Sequence, residues 1–281
     1  MTLRKRDSVL LHLAAVFTAV VILVPFLYMV VASISPQSNL ISKPPKWIPD
    51  HLDWHRYSDM FSGSSAAGST FKSAMANSVI VACCTVAISM VISIFGAYAF
   101  ARLEFRGRRM TLMMFLATYM LPQVALLVPM YIILSGFGLL DSKIGLILVD
   151  CSLVIPFTLW ILSNYFLTVP RDLEDAARVD GCTRVGALFR VILPTAKPGI
   201  FAAIMFSFLL AWDEFMYALV FTSSTNSKTV PVAISEFAGR YTTDFGLVAA
   251  GGVLAALPPV IIAIVFQRYV VSGMVAGAVK E

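Results

Sequence analysis

Apolar residues gather along the chain in six runs, at about 9–32, 73–101, 110–134, 144–167, 199–221 and 245–271. Each is long enough to cross a ~30 Å hydrocarbon layer, which takes ~20 helical residues at a rise of 1.5 Å. Backbone in lipid must satisfy its own hydrogen bonds, so unbroken apolar runs of this length predict helices. Barrel strands would alternate polarity over ~10 residues. Pro25, Pro122, Pro129, Pro156, Pro258 and Pro259 fall inside or near the ends of the runs, where membrane helices accommodate them as kinks. The first run follows Arg4, Lys5 and Arg6. It exceeds the ~7–15-residue apolar stretch of a signal peptide, which predicts an uncleaved first span.

Composition supports this pattern. Of 281 residues 59% are hydrophobic and only 13% charged, and the mean hydropathy is +0.84. A soluble enzyme, a disordered chain and a nucleic-acid-binding domain all fit poorly. The expectation is an all-α integral membrane protein, one domain over residues 1–281, embedded in a lipid bilayer with no nucleic-acid partner. Lys and Arg set the orientation. With a cytoplasmic N-terminus, 14 of the 21 fall on the inside and 7 on the outside, and six spans then leave both termini cytoplasmic. Cys83, Cys84, Cys151 and Cys182 lack zinc or disulfide spacing, and His51 and His55 lack a third ligand, so no metal site is expected. The outer loop 33–72 carries Pro44-Pro45-Lys46-Trp47-Ile48-Pro49, a rigid aromatic stretch suited to the membrane interface. Its Gly63–Thr70 stretch nearly spells a phosphate-binding loop but has no lysine and no preceding strand. It reads as a flexible linker, and the chain as having no ATPase of its own.

The segment Pro170–Pro194 breaks the hydropathy pattern. It is too charged to span and too regular for a slack loop. Leu173, Ala176 and Ala177 sit at i, i+3, i+4; Val185, Leu188, Phe189 and Ile192 sit at i, i+3, i+4, i+7. Both stripes have helical period. Pro170 suits a helix start and Pro194 a stop, Asp172, Glu174 and Asp175 suit the first turn, and Thr183 can cap a second helix after Gly181. The expectation is a cytoplasmic helix–turn–helix. A helix lying on the membrane would have a strongly basic polar face, whereas this one mixes Glu174, Asp175 and Asp180 with Arg178 and Arg184. Docking onto a cytoplasmic protein fits better.

This segment resembles the "EAA" loop of ABC-importer permeases, which runs Glu-Ala-Ala, three residues, Gly, nine residues, Ile-x-Leu-Pro. Here Asp175-Ala176-Ala177 precedes Gly181 at that spacing, and Val191 and Leu193-Pro194 follow at theirs. Asp175 stands for the usual Glu and Val191 for Ile. Pro25-Phe26-Leu27, Asn77-Ser78, Ala97-Tyr98-Ala99-Phe100-Ala101-Arg102-Leu103, Trp212-Asp213-Glu214-Phe215 and the closing Gly277-Ala278-Val279-Lys280 are similar to the smaller permease subunit of maltose-type carbohydrate importers, with Asp213 in place of an expected Asn. The resemblance implies a MetI-like fold in a bacterial inner membrane and a non-catalytic subunit. It implies three partners: a second, related permease forming a heterodimer, a cytoplasmic ATPase dimer that holds the ATP and Mg²⁺, and an extracytoplasmic solute-binding protein. It also implies coupling to the ATPase through Glu174, Asp175, Ala176, Ala177, Asp180, Gly181, Leu193 and Pro194.

Three acids lie within apolar runs: Asp150, Asp213 and Glu214. Charges there are costly and face a cavity or a partner. On one continuous helix Tyr217 would share their face and Trp212 would add an aromatic surface. Carboxylates beside rings suit a polyhydroxylated ligand, and the same acids also suit pairing between helices or subunits. Two rival readings are a stand-alone secondary transporter or channel using these acids, and an intramembrane enzyme. The first leaves the docking loop unexplained, and the second lacks an HExxH or GxSxG set.

Overall fold

The computed structural model describes residues 5–44, 46–239 and 243–278, with side chains between 10 and 268. The expectations for Arg4, Pro45, Arg240, Val279 and Lys280 lie outside these residues, as do the side chains of Lys5 and Arg6. In chain order the helices are α1 (Lys5–Ser33), α2 (Gln37–Leu40), α3 (His55–Ser62), α4 (Ala66–Arg102), α5 (Arg108–Tyr119), α6 (Gln123–Gly136), α7 (Lys143–Thr168) and α8 (Arg171–Val179). Then come α9 (Arg184–Ala187), a π-helical turn (Leu188–Ile192), α10 (Leu193–Thr195), α11 (Lys197–Trp212), α12 (Met216–Phe221), α13 (Val230–Glu236) and α14 (Phe245–Ala278). Among the described residues the one isolated strand-like pairing joins Ala238 to Thr243.

Four helices are long and apolar enough to cross a membrane, and up to six spans result if each of two bent pairs counts as one. In two places the expected straight spans are broken. The third run is α5 and α6, set 93° apart. Pro122 lies at the bend as the N-cap of α6, because a proline has no N–H to continue the preceding helix and clashes with its last turn. The fifth run stops at Trp212 and resumes at Met216 as α12. A second bend, of 82°, separates 184–195 from α11, with Pro198 in the first turn of α11. Pro25, Pro156 and the Pro258-Pro259 pair, in contrast, lie inside unbroken helices. The 63–70 stretch is no linker: Gly63 caps α3 in the left-handed region and Ala66 opens α4.

Residues 1–72 and 233–257 form one compact unit, and 73–232 with 258–281 another. In the first, α1 exposes most of its apolar surface, including Leu13 and Phe17, as expected of a helix whose solvent is lipid. Arg56 is its buried polar centre, donating from Nη1 to the carbonyl of Ser35 at 2.8 Å while Nε lies 3.5 Å from Asp244. Trp47 packs on Tyr28 with ring centroids 5.1 Å apart and keeps much of its surface exposed.

In the second unit α7 is the spine. Leu162 and Phe166 are fully buried in a cluster with Ala97 and Tyr98 of α4 and Ala203 of α11. Gly199 lets α11 lie directly on α7: a Cβ there would meet the Tyr165 ring at 2.1 Å. Leu188 and Ile192 join the same core, whereas Val185 and Phe189 remain exposed. The second apolar stripe therefore splits, because the π-helical turn over 188–192 departs from the 3.6-residue period on which the stripe was read.

Candidate functional site

Two constellations of the second unit carry the chemistry. The first is the helix–turn–helix at 170–195. Helix α8 starts after Pro170, has Asp172 and Glu174 in its first turn and Arg178 in its last, and so has charges of the favourable sign at both ends. It ends where Gly181 adopts φ +88° and the N–H of Cys182 reaches back to the carbonyl of Ala177 at 2.9 Å. A Cβ on Gly181 would meet nothing within 4 Å, so backbone angle alone favours glycine there. Thr183 caps α9, its hydroxyl accepting from the N–H of Gly186 at 3.1 Å.

The face that α8 turns inward is not its apolar stripe. Glu174 and Ala177 are buried, while Leu173 and Ala176 are exposed. Glu174 accepts a hydrogen bond from the Tyr98 hydroxyl at 2.6 Å and lies 3.2 Å from Nε of Arg102. The Arg102 contact is ionic without hydrogen-bond alignment. Nη2 of Arg102 donates to the carbonyl of Val169 at 2.8 Å. Glu174 thus anchors α8 to the C-terminal end of α4. A carboxylate with this little solvent needs such partners. Asp175, Ala176, Asp180, Gly181 and Pro194 are exposed, and Leu193 is half-buried. Leu173, Val179 and Val185 leave their apolar side chains uncovered, with Val179 87% exposed. Tyr98 and Arg102 went unassigned in the sequence. Both stand in the Ala97–Leu103 stretch that carries part of the resemblance, and a second signal is their place at the end of a long apolar run, where a tyrosine hydroxyl and a guanidinium need polar company.

The second constellation surrounds the break in the fifth span. The chain leaves helix at Asp213 because Glu214 supplies a better partner: its carboxylate accepts the N–H groups of Tyr217 at 2.7 Å and Ala218 at 2.9 Å, capping α12. Asp213 is exposed and Glu214 largely buried. Both line a cavity of about 480 Å³ together with Tyr119, Gln123, Phe157 and Phe206. Leucine, phenylalanine and methionine complete its wall. Tyr119 stacks on Phe157 at 5.8 Å, and Phe206 meets Phe157 edge-on at 6.0 Å.

Of the expected group Asp150, Trp212, Asp213, Glu214 and Tyr217, only Asp213 and Glu214 line this cavity, while Asp150 and Tyr217 lie within electrostatic reach of Glu214. Trp212 is buried and stacked on Phe208 at 5.4 Å. Tyr217 is fully buried against Phe221. Asp150 is buried, and neither of its carboxylate oxygens has a hydrogen-bond partner within the chain. The helical spacing that joined Tyr217 to Asp213 does not survive the break at 213–215. Tyr119 and Gln123 were missed because Pro122 folds two helices toward each other where hydropathy shows one run. Among the described residues no cluster of three or more His, Cys, Asp or Glu side chains has metal-binding geometry.

A polar clasp ties α4, at Asn77 and Ser78, to the N-terminal end of α7 and to the segment 223–230. Asp141, at φ +53°, accepts from the N–H groups of Ser223 at 2.8 Å and Ser224 at 2.9 Å and from the Ser227 hydroxyl. Burial acts to raise its pKa, but the hydrogen bonds from Ser224, Ser227 and Ser223 outweigh it and hold the carboxyl well below the usual range. Asn77 donates to the carbonyls of Thr225 at 3.0 Å and Lys228 at 2.9 Å, and Ser78 accepts the N–H of Val230 at 2.8 Å. Lys143 bonds Asn77 and the Asn226 carbonyl.

Comparison with known proteins assigns this arrangement. Residues 89–275 match the family described as binding-protein-dependent transport system inner membrane component. The chain is 37% identical over 258 residues to the sulfoquinovosyl glycerol transport system permease protein of Agrobacterium fabrum, covering 92% of this chain and 89% of that one. It is 33% identical over 273 residues to the trehalose/maltose transport system permease protein of Thermococcus litoralis, covering 97% and 96%. A chain in the crystal structure of a bacterial ABC transporter involved in alginate import superposes with a TM-score of 0.77 at 22% identity, covering 96% of this chain and 99% of that one, which establishes the shared fold. The expected MetI-like helical fold agrees with these matches, and the stand-alone transporter finds no support among them. The chain belongs to the family of binding-protein-dependent transport system inner membrane components, the permease subunits of ABC importers.

Proposed function

We propose that this chain forms one half of the translocation path of an importer for a sugar or polyol. The other half comes from a second, related permease. A cytoplasmic ATPase dimer holds ATP and Mg²⁺, docks on α8 and the turn at Gly181, and drives the cycle. A solute-binding protein delivers the cargo from outside. Both termini, α8 and α9 lie in the cytoplasm, and the Asp141 clasp lies on the outer side. This placement follows the Lys and Arg distribution.

The observation that carries the docking role is that Leu173, Val179 and Val185 leave apolar side chains uncovered on a charged segment held to the chain by Glu174. Residues that fold the segment are turned inward, and those with no task in the fold are left outward. The carbohydrate class is supported by the names of the relatives, whose cargoes are glycosides, and by carboxylates facing aromatic rings in the cavity. Hydroxyl groups donate to carboxylates, and the apolar faces of sugars pack on rings.

The test is ATP hydrolysis by the reconstituted complex with its binding protein. Val179→Asp and Leu173→Asp should preserve insertion and expression but remove ligand-stimulated hydrolysis and loosen ATPase association. Stimulation equal to wild type in both variants would overturn the docking role. Ala177→Asp is a poor probe, because Ala177 is buried inside the chain.

A further inference from the structure

The cavity at the helix break carries charge of one sign only. Asp213 and Glu214 are its ionisable groups apart from the tyrosine hydroxyl, and no Lys, Arg or His appears among its lining residues. The Glu214 carboxylate already accepts two backbone N–H groups. Asp213 is open to the cavity and has nothing cationic in the lining to offset it. The uncharged donors on this wall are the Gln123 amide and the Tyr119 hydroxyl. The field of the acids acts in a half-open cavity with a largely apolar wall, where charges interact more strongly than in bulk water.

We propose that this wall selects cargo by charge, admitting neutral or cationic polyhydroxylated molecules and opposing sugar phosphates, sulfonates and uronates. This rests on the reading of the cavity as the substrate path. A neutral polyol offers hydroxyl donors for the Asp213 carboxylate and C–H faces for the Tyr119–Phe157 stack. A phosphate or carboxylate brings a second anion toward the first and finds no cation on this wall to pair with. The partition occurs at this wall, so it adds to whatever selection the binding protein makes and does not depend on it.

The experiment reads the potential of the cavity directly. In the assembled complex Cys83, Cys84 and Cys182 are replaced by Ala, the buried Cys151 is kept, and Gln123→Cys is introduced. The new thiol is modified with methanethiosulfonates carrying either a trimethylammonium or a sulfonate group, and the rates are followed by peptide mass mapping. After division by the rates with a free small thiol, the cationic reagent should react faster by roughly tenfold or more, given opposite signs of interaction with the same carboxylates. Adding Asp213→Asn should remove most of that ratio. A ratio near one, or one that Asp213→Asn leaves intact, overturns charge selection while leaving the path reading in place. A thiol that reacts with neither reagent, in a complex whose ATPase is still stimulated by loaded binding protein, overturns the path reading and this inference with it.

Discussion

Asp213 and Glu214 are chain neighbours of similar chemistry with opposite roles. Glu214→Ala strands two buried N–H groups at the start of α12, each costing about 1–3 kcal/mol. Its melting temperature, measured by intrinsic fluorescence of the purified complex, should drop by several degrees and assembly should weaken. Asp213→Asn removes a carboxylate that no fold contact among the described residues uses. It should melt like wild type and alter uptake alone. Equal melting loss in both variants would contradict this division. At Gly181 the left-handed angle, with free space around it, predicts that Gly181→Val costs about 1–2 kcal/mol of local strain and uncouples ATP hydrolysis while all spans still insert. Asp141 is the pH-sensitive residue. Its folded-state pKa lies below the ordinary ~3.9 of an aspartate, so its contribution is complete above that value and is lost as pH falls through the folded one. Hydrogen exchange of the Ser223 and Ser224 amides, corrected for intrinsic rates, should stay slow from neutral pH to about pH 4 and quicken only below. Asp141→Asn should exchange fast throughout. These residue-scale roles were only partly legible in the sequence. The acids stood out as charges in apolar runs, but which one caps and which one faces open space depends on a helix break that hydropathy does not register.

At the scale of elements, hydropathy averages over windows longer than a turn, so it finds apolar stretches well and breaks poorly. Runs one, two, four and six correspond to continuous helices, and runs three and five do not. Pro122 and Pro156 are indistinguishable as letters in apolar context. Pro156 sits in the middle of α7, where packing holds its neighbours on both sides, whereas Pro122 follows the end of α5 and opens α6. The turn at Gly181 was legible because glycine, threonine cap and helical period agree there. The π-helical turn was not, because nothing in Leu188–Ile192 distinguishes it from ordinary helix. The contact of α11 with α7 yields its own test. Gly199→Leu must push against the Tyr165 ring, and overpacking of this kind costs about 1–3 kcal/mol or more. Gly199→Ala combined with Tyr165→Ala should recover stability that Gly199→Ala alone loses. Failure of the pair to show such coupling in thermal melts would mean that the two helices do not meet there.

For the whole molecule, the asymmetry of Lys and Arg proposes one topology. A reporter active only outside the cytoplasm should work when fused near Ser38 or Ser227 and be silent near Arg106 or Arg184. Activity at Arg184 would move α8 to the wrong side of the membrane for any ATPase.

Helix α4 is tied at two points. Near one end Tyr98 and Arg102 hold Glu174 of α8; toward the other Asn77 and Ser78 hold the strap that runs from Thr225 to Val230. The two ties are ~30 Å apart along the axis at 1.5 Å per residue. Unlike α1, α6, α7 and α14, the rod between them contains no proline at which to flex. A tie rod fixes phase. With an ATPase docked on α8 as proposed, tilt imposed there would reach the strap through one continuous helix, and the two mouths of the proposed path would be kept in step. Cutting one tie should let them drift. Tyr98→Phe combined with Glu174→Gln should give a complex that still binds ATPase and still hydrolyses ATP, but burns it idly, with transport per ATP falling several-fold.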